Sequence, residues 1–150
     1  VIYDILWSMY HAVESDFEKV KEIFYSHKKW FPHIRTDYMK RMIAKNNLIL
    51  DNDVVITYNF YKRKQKVGDI QAYKDDCILH QIAAKNKGTA SDVLQKFFKF
   101  VNRRVYLSVR SDNDIAKNFY LKNNMKQIGK TTWAKGTLPG DVYVYNEHTD

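Results

Sequence analysis

The apolar positions of this chain follow two rhythms, and an element boundary is expected where one gives way to the other. Ile78 to Ala84 is a short, almost continuous apolar run and predicts a buried strand. A polar turn containing Gly88 follows. Val93, Leu94, Phe97, Phe98 and Val101 then repeat at the spacing of a helix with one buried face. Val105 to Val109 predicts another strand. After it, Asp112 and Asn113 cap a helix whose buried face is marked by Ile115, Ala116, Phe119 and Tyr120.

The flanking segments read in the same way. Ile5 to Met9 alternates as a strand does, and Ser15 and Glu18 have the spacing of a capping box. The helix they open buries Phe17, Val20, Ile23 and Phe24, and the stretch from His27 to Arg35 ends it, with Pro32 as the break. A second helix, Thr36 to Lys45, carries Tyr38, Met42 and Ile43 on one side. Leu48 to Leu50 and Val54 to Tyr61 form a hairpin through Asp51, Asn52 and Asp53. Lys62 to Lys66 is a basic loop, read as a solvated hairpin end. A last hairpin pairs Met125 to Trp133 with Val142 to Tyr145 around a loop from Ala134 to Asp141.

Composition narrows the class. A chain of 150 residues is expected to be one domain, 1–150, with room for a sizeable core. At 45% hydrophobic and 28% charged it is globular in composition, not disordered. No run approaches the roughly 18 apolar residues of a membrane span, and no signal-peptide pattern stands at its start. The single Cys77 has no partner for an internal disulfide, which favours a reducing compartment and so the cytoplasm. A formal charge of +8 draws anionic partners, nucleic acid among them. Monomer and homodimer both remain open.

The central stretch has a chemical reading too. Strand, glycine turn and helix together cradle phosphate, because the first backbone N–H groups of a helix lack internal partners and carry the positive end of its dipole. Here the strand closes on Ile82-Ala83-Ala84, the turn is Lys85-Asn86-Lys87-Gly88-Thr89-Ala90, and the later helix reads Asn113-Asp114-Ile115-Ala116-Lys117-Asn118-Phe119-Tyr120, followed by Asn124-Met125. These motifs resemble those of the GNAT superfamily of acetyl-CoA-dependent N-acyltransferases: an apolar triplet, then R/Q-x-x-G-x-G/A opening a helix, then N-x-x-A-x-x-F-Y. The second motif matches well. The first departs from the pattern, since Lys85 stands for Arg/Gln and the turn is short. The element order is similar over nearly the whole chain.

The resemblance implies an α/β (α+β) fold with a mixed, mostly antiparallel sheet of about six to seven strands, splayed at its centre, and about four helices. It implies acetyl-CoA as cosubstrate. Ile82 and Ala84, flanking Ala83, would bond the pantetheine arm; the amides of Lys87, Gly88, Thr89 and Ala90 would hold the pyrophosphate with Lys85 beside it. Gly88 is expected to allow close approach of the phosphate, and Asn113 to touch the cofactor or cap its helix. The implied reaction is direct attack of a primary amine on the thioester in a ternary complex. Such a transfer needs a neutral amine, a stabilised oxyanion and a proton for the thiolate. Tyr120 stands where the family often places that proton donor. The strand position often held by Glu is Ile78. His80, two residues on and on the same face, resembles the strand histidine with which the arylalkylamine branch draws a proton through water. Cys77 lacks a base partner for a nucleophilic role. No metal ligand is expected. The acceptor wall implied is Trp30, Phe31, His33, Arg35 and Tyr38 on one side and the segment from Trp133 to Val142 on the other. Aromatic and basic residues of this kind suit an aromatic amine, an acidic small molecule or a nucleobase. A non-catalytic module of similar fold, holding nucleic acid through its basic surface, is the alternative.

Overall fold

A computed structural model describes residues 8–27, 29, 31 and 34–146. The strands bond in the order β1-β2-β3-β6-β7-β9-β8 in one seven-stranded sheet, with β4 and β5 as a separate two-stranded hairpin. The chain folds as two compact units, Val1–Tyr58 with Gln81–Lys96 and Asn59–His80 with Phe97–Asp150, and β6 runs from one into the other.

In the first unit β1 is Tyr10–His11, β2 is Leu48–Asp51 and β3 is Val54–Phe60. Of the strand expected at Ile5 to Met9, residues 5–7 lie outside the described residues, and Ser8 and Met9 are not in a strand. β2 and β3 pair antiparallel from Leu48–Thr57 to Asp51–Val54. Their turn is tight because Asn52 and Asp53 both adopt positive φ, 48° and 61°, which suits a two-residue hairpin. Helix α1, Phe17–Tyr25, is entered through a single 3-10 turn, Glu14–Asp16. That entry replaces the expected Ser15/Glu18 box: the Asp16 carboxylate takes the Val13 N–H at 2.8 Å, because an acid there meets the unpaired first-turn donors. Val20, Ile23 and Phe24 of α1 and Met39, Met42 and Ile43 of α2, Thr36–Ala44, form the core with Leu48, Leu50, Val55 and Ala83. Complete burial of each large apolar side chain contributes about 1.5–3 kcal/mol.

In the second unit β7 is Val105–Arg110, β8 is Lys126–Trp133 and β9 is Leu138–Tyr145. The loop expected from Ala134 to Asp141 is shorter than read: Leu138 to Asp141 already pair, with Leu138 opposite Trp133 and Asp141 opposite Lys130. Pro139 and Gly140 suggested a loop, but both stand at the start of β9, where a strand flanked by β7 and β8 still accommodates them. The basic loop also proves partly ordered. Gln65–Val67 (β4) and Ile70–Ala72 (β5) make a hairpin, whose Val67 and Ala72 pack with Tyr106 and Val142. Helix α3 is Ala90–Val101 and α4 is Asp114–Lys122. On α4 the expected apolar face is narrower than predicted: Ile115 is 83% exposed, while Tyr120 is buried. The parallel ladder between β6, Cys77–Ala84, and β7 comprises Cys77–Val105 and Ile78–Tyr106, so Leu79 and His80 have already left it. That is the expected splay. No helix among the described residues is long and apolar enough to cross a membrane.

Candidate active site

The residues of the expected phosphate loop lie in the first unit. Ala83 is buried in the core, while Ile82 and Ala84 are half-buried. The Ala84 carbonyl, expected to face a pantetheine amide, accepts a hydrogen bond from His27 Nε2 at 2.6 Å. The Lys85 N–H donates to the Asp53 carbonyl at 3.0 Å, tying the loop's start to the β2–β3 turn. The Lys85 ammonium pairs with Glu22 of α1 at 2.6 Å, and that hydrogen bond raises its pKa. Lys87 is exposed and has no ion-pair partner among the described residues. Gly88 adopts φ +87°, a conformation L side chains rarely take, and no atom lies within 4 Å of where its Cβ would stand. Glycine is therefore required here by its backbone, and it leaves the space beside the loop open. Thr89 closes the turn, its hydroxyl donating to the Asn86 carbonyl at 3.2 Å and its carbonyl accepting from the Val93 N–H at 3.4 Å.

The second unit holds the proposed acid and base. Asn113 caps α4: its side-chain oxygen accepts from the Ala116 N–H at 3.1 Å. Lys117, one turn on, reaches the buried Asp141 of β9 at 3.2 Å and the Ser111 carbonyl at 3.1 Å. The Ser111 hydroxyl donates to the other Asp141 oxygen at 3.0 Å, and Lys130 lies 3.5 Å from it. Burial alone would raise the Asp141 pKa, but the bonds from Lys117 and Ser111 and the two ammonium charges outweigh it and lower it. Three residues beyond Lys117, the Tyr120 ring stands 6.0 Å from Tyr143, two residues beyond Asp141. Tyr120 is only 8% exposed, and its hydroxyl has no hydrogen-bond partner among the described residues. Burial raises its pKa, so it keeps its proton at every physiological pH.

His80 Nε2 is 2.9 Å from the Asn59 side-chain nitrogen, which can only donate, so Nε2 carries a lone pair. Although the residue is open to solvent, enough protein surrounds the ring to lower its pKa, and the imidazole is neutral at neutral pH. Cys77 is wholly buried, and burial raises its thiol pKa, so it is inert. In the expected acceptor wall, Trp30 and His33 lie outside the described residues. Phe31 packs edge-on against Phe24, their centroids 5.6 Å apart, and thus serves the core. Arg35 points to solvent and pairs with Asp37 at 3.3 Å. Tyr38 instead reaches inward to Gln81 at 2.8 Å. Trp133, in the second unit, is exposed, with its ring on Gly140, where a Cβ would collide with it.

No protein-family model matches the sequence, and no curated protein matches it. Solved structures do. A GNAT-family acetyltransferase from Streptococcus agalactiae 2603 superposes with a TM-score of 0.72 at 11% identity, over 94% of this chain and 95% of that one. One from Bacillus cereus ATCC 10987 gives 0.67 at 13% identity, over 92% and 95%. Arabidopsis thaliana NAA60, solved in complex with acetyl-CoA, gives 0.67 at 14% identity, over 92% and 97%. The chain has the GNAT fold.

Within that fold, sequence reading overlooked Glu22, His27, Gln81 and Asp141. None belongs to a motif, and each acts through a partner distant along the chain. Gln81 alone left a trace, as a polar side chain in an apolar strand beside His80.

Proposed function

We propose that this chain transfers an acetyl group from acetyl-CoA to a primary amine by direct attack in a ternary complex. The single observation that carries the reading is Tyr120, a residue 8% exposed on an anchored helix, whose protonated hydroxyl has no protein partner among the described residues yet is not sealed from solvent. In this reading it donates its proton to the departing thiolate. His80 is the base in this reading: its Nε2 lone pair, which takes an Asn59 N–H in the free chain, draws the amine proton through a water once that bond opens.

The loop residues fit the cosubstrate. Lys87 offers an exposed cation, Gly88 leaves open space, and the N-terminus of α3 begins two residues later, an arrangement suited to a pyrophosphate. Acetyl-CoA supplies the thioester; the new N–C bond forms as the C–S bond breaks. What the chain supplies is orientation, a proton held at Tyr120 and a lone pair held at His80.

Calorimetric titration of the purified protein with acetyl-CoA, compared with 3′-dephospho-CoA, tests this. Saturable binding in the micromolar range usual for enzyme substrates is expected. Absence of binding would overturn the reading and leave nucleic acid as the anionic partner to examine.

A further inference from the structure

The mechanism above makes no use of Gln81, yet this side chain is held by hydroxyl donors from two different elements. It lies on the face of β6 shared with Ala83, which packs under α1 and α2. The Tyr38 hydroxyl of α2 donates to its Oε1 at 2.8 Å, and the fully buried Thr57 hydroxyl of β3 donates to the same oxygen. Two donors on one carbonyl oxygen fix the amide's rotation. Turned over, the amide would set its N–H donors against those two hydroxyl oxygens, and neither hydroxyl would keep the acceptor it has here.

The consequence lies at the other end of the amide. Asp51 Oδ1 is the one side-chain atom both sealed from solvent and unpartnered among the described residues. No partner is found there for Gln81 Nε2, so that group is open to solvent. It offers two N–H donors in a fixed plane, which suits an sp2 oxygen and repels no negative charge. The Arg41 guanidinium lies 5.5 Å from the Tyr38 ring centre, adding positive charge to the same corner. Resting on the acyltransferase reading, we propose that Gln81 is a specificity-determining residue whose amide N–H groups take a carbonyl or carboxylate oxygen carried by the amine acceptor. A site built to bond an oxygen rejects an analogue that lacks it, because the donors are then left unpaired.

A matched pair of probes tests this. Alaninamide and 3-methylbutan-2-amine have nearly the same shape, but only the first carries a carbonyl. In the full chain the Gln81 side-chain N–H2 signals can be followed by NMR, assigned by their absence from Gln81→Glu. That variant keeps the acceptor for Tyr38 and Thr57 and replaces the donors with an oxygen. Saturable movement of the Gln81 signals with alaninamide and none with 3-methylbutan-2-amine is expected. Affinity for alaninamide should fall about tenfold or more in Gln81→Glu. Equal responses to both probes, no response to either, or unchanged affinity in Gln81→Glu would each overturn the proposal. Gln81→Leu repeats the affinity comparison without a new charge. None of these readings needs turnover, so failure of acetyl-CoA binding would remove the acyltransferase reading while the Gln81 result stood by itself.

Discussion

The two units treat their polar groups in opposite ways. Around the phosphate loop the groups suited to a ligand are already engaged: Lys85 by Glu22, the Ala84 carbonyl by His27, the Gln81 oxygen by Tyr38 and Thr57. On α4 the scaffold is engaged, through Lys117, Ser111 and Asp141, while the Tyr120 hydroxyl, the proposed proton donor, has no protein partner among the described residues. The difference follows from what each region must do. A binding loop gains from being pre-organised, since every rotor fixed beforehand is one less to order when the ligand arrives. A proton donor gains from having no rival acceptor, because a hydrogen bond within the protein would have to break before transfer.

The largest expected effect comes from removing the solitary hydroxyl. Tyr120→Phe keeps the ring against Tyr143 and deletes only the donor. Turnover should drop by on the order of 10²-fold, as for loss of a general acid. Acetyl-CoA affinity by calorimetry should stay within about twofold, since the phosphate contacts are untouched. Loss of affinity with turnover preserved would reverse the roles assigned to the two regions.

Next in size is the engaged scaffold. Asp141→Asn removes the charge that holds Lys117 to β9 and should lower unfolding stability by about 1–3 kcal/mol in urea titration. Lys130 contributes little to this because it is mostly exposed. The effect depends on pH in a definite direction. The Asp141 pKa in the folded chain lies below its ordinary 3.8, so the unfolded chain takes up that proton first as acid is added. The stabilisation is complete above the ordinary value and disappears as pH falls through the lowered one. Wild type and Asp141→Asn should thus differ by a constant amount near neutrality and converge below about pH 4. Asp51 gives the contrast, since one of its oxygens bonds Lys96 at 2.9 Å and the other has no partner among the described residues.

What sequence could convey differed between the two regions for the same reason. The helices at Phe17, Thr36, Ala90 and Asp114 were legible because a buried face repeats along one local segment, and the Asn113 cap because its partner lies three residues away. Ile115 was misread because its spacing satisfies the helical period while the sheet covers a narrower stripe. The extent of β9 was hidden by Pro139 and Gly140, whose local preference yields to a partner strand. Glu22 on Lys85, His27 on Ala84 and Asp141 on Lys117 are pairings between residues far apart along the chain, and no local pattern encodes them. The motif therefore drew attention to Lys85, and only its pairing with Glu22 shifts the expectation to Lys87.

That shift gives the smallest effect, and it bears directly on the contrast between engaged and solitary groups. Lys85 spends its charge on Glu22, and both side chains are substantially exposed, at 46% and 61%. A pyrophosphate beside the loop would meet a cation already neutralised, whereas Lys87 meets it with a whole charge. Lys87→Ala should weaken acetyl-CoA binding by about fivefold at low salt, in keeping with one surface charge contact, and the loss should shrink as salt screens it. Lys85→Ala should change affinity by less than about twofold under the same conditions. Glu22→Gln sharpens the comparison, because it releases Lys85 without moving it out of the loop, and affinity should rise. If Lys85→Ala were the more damaging of the two lysine substitutions, the pair with Glu22 would have to open on binding, and the loop would be less pre-organised than its free geometry indicates.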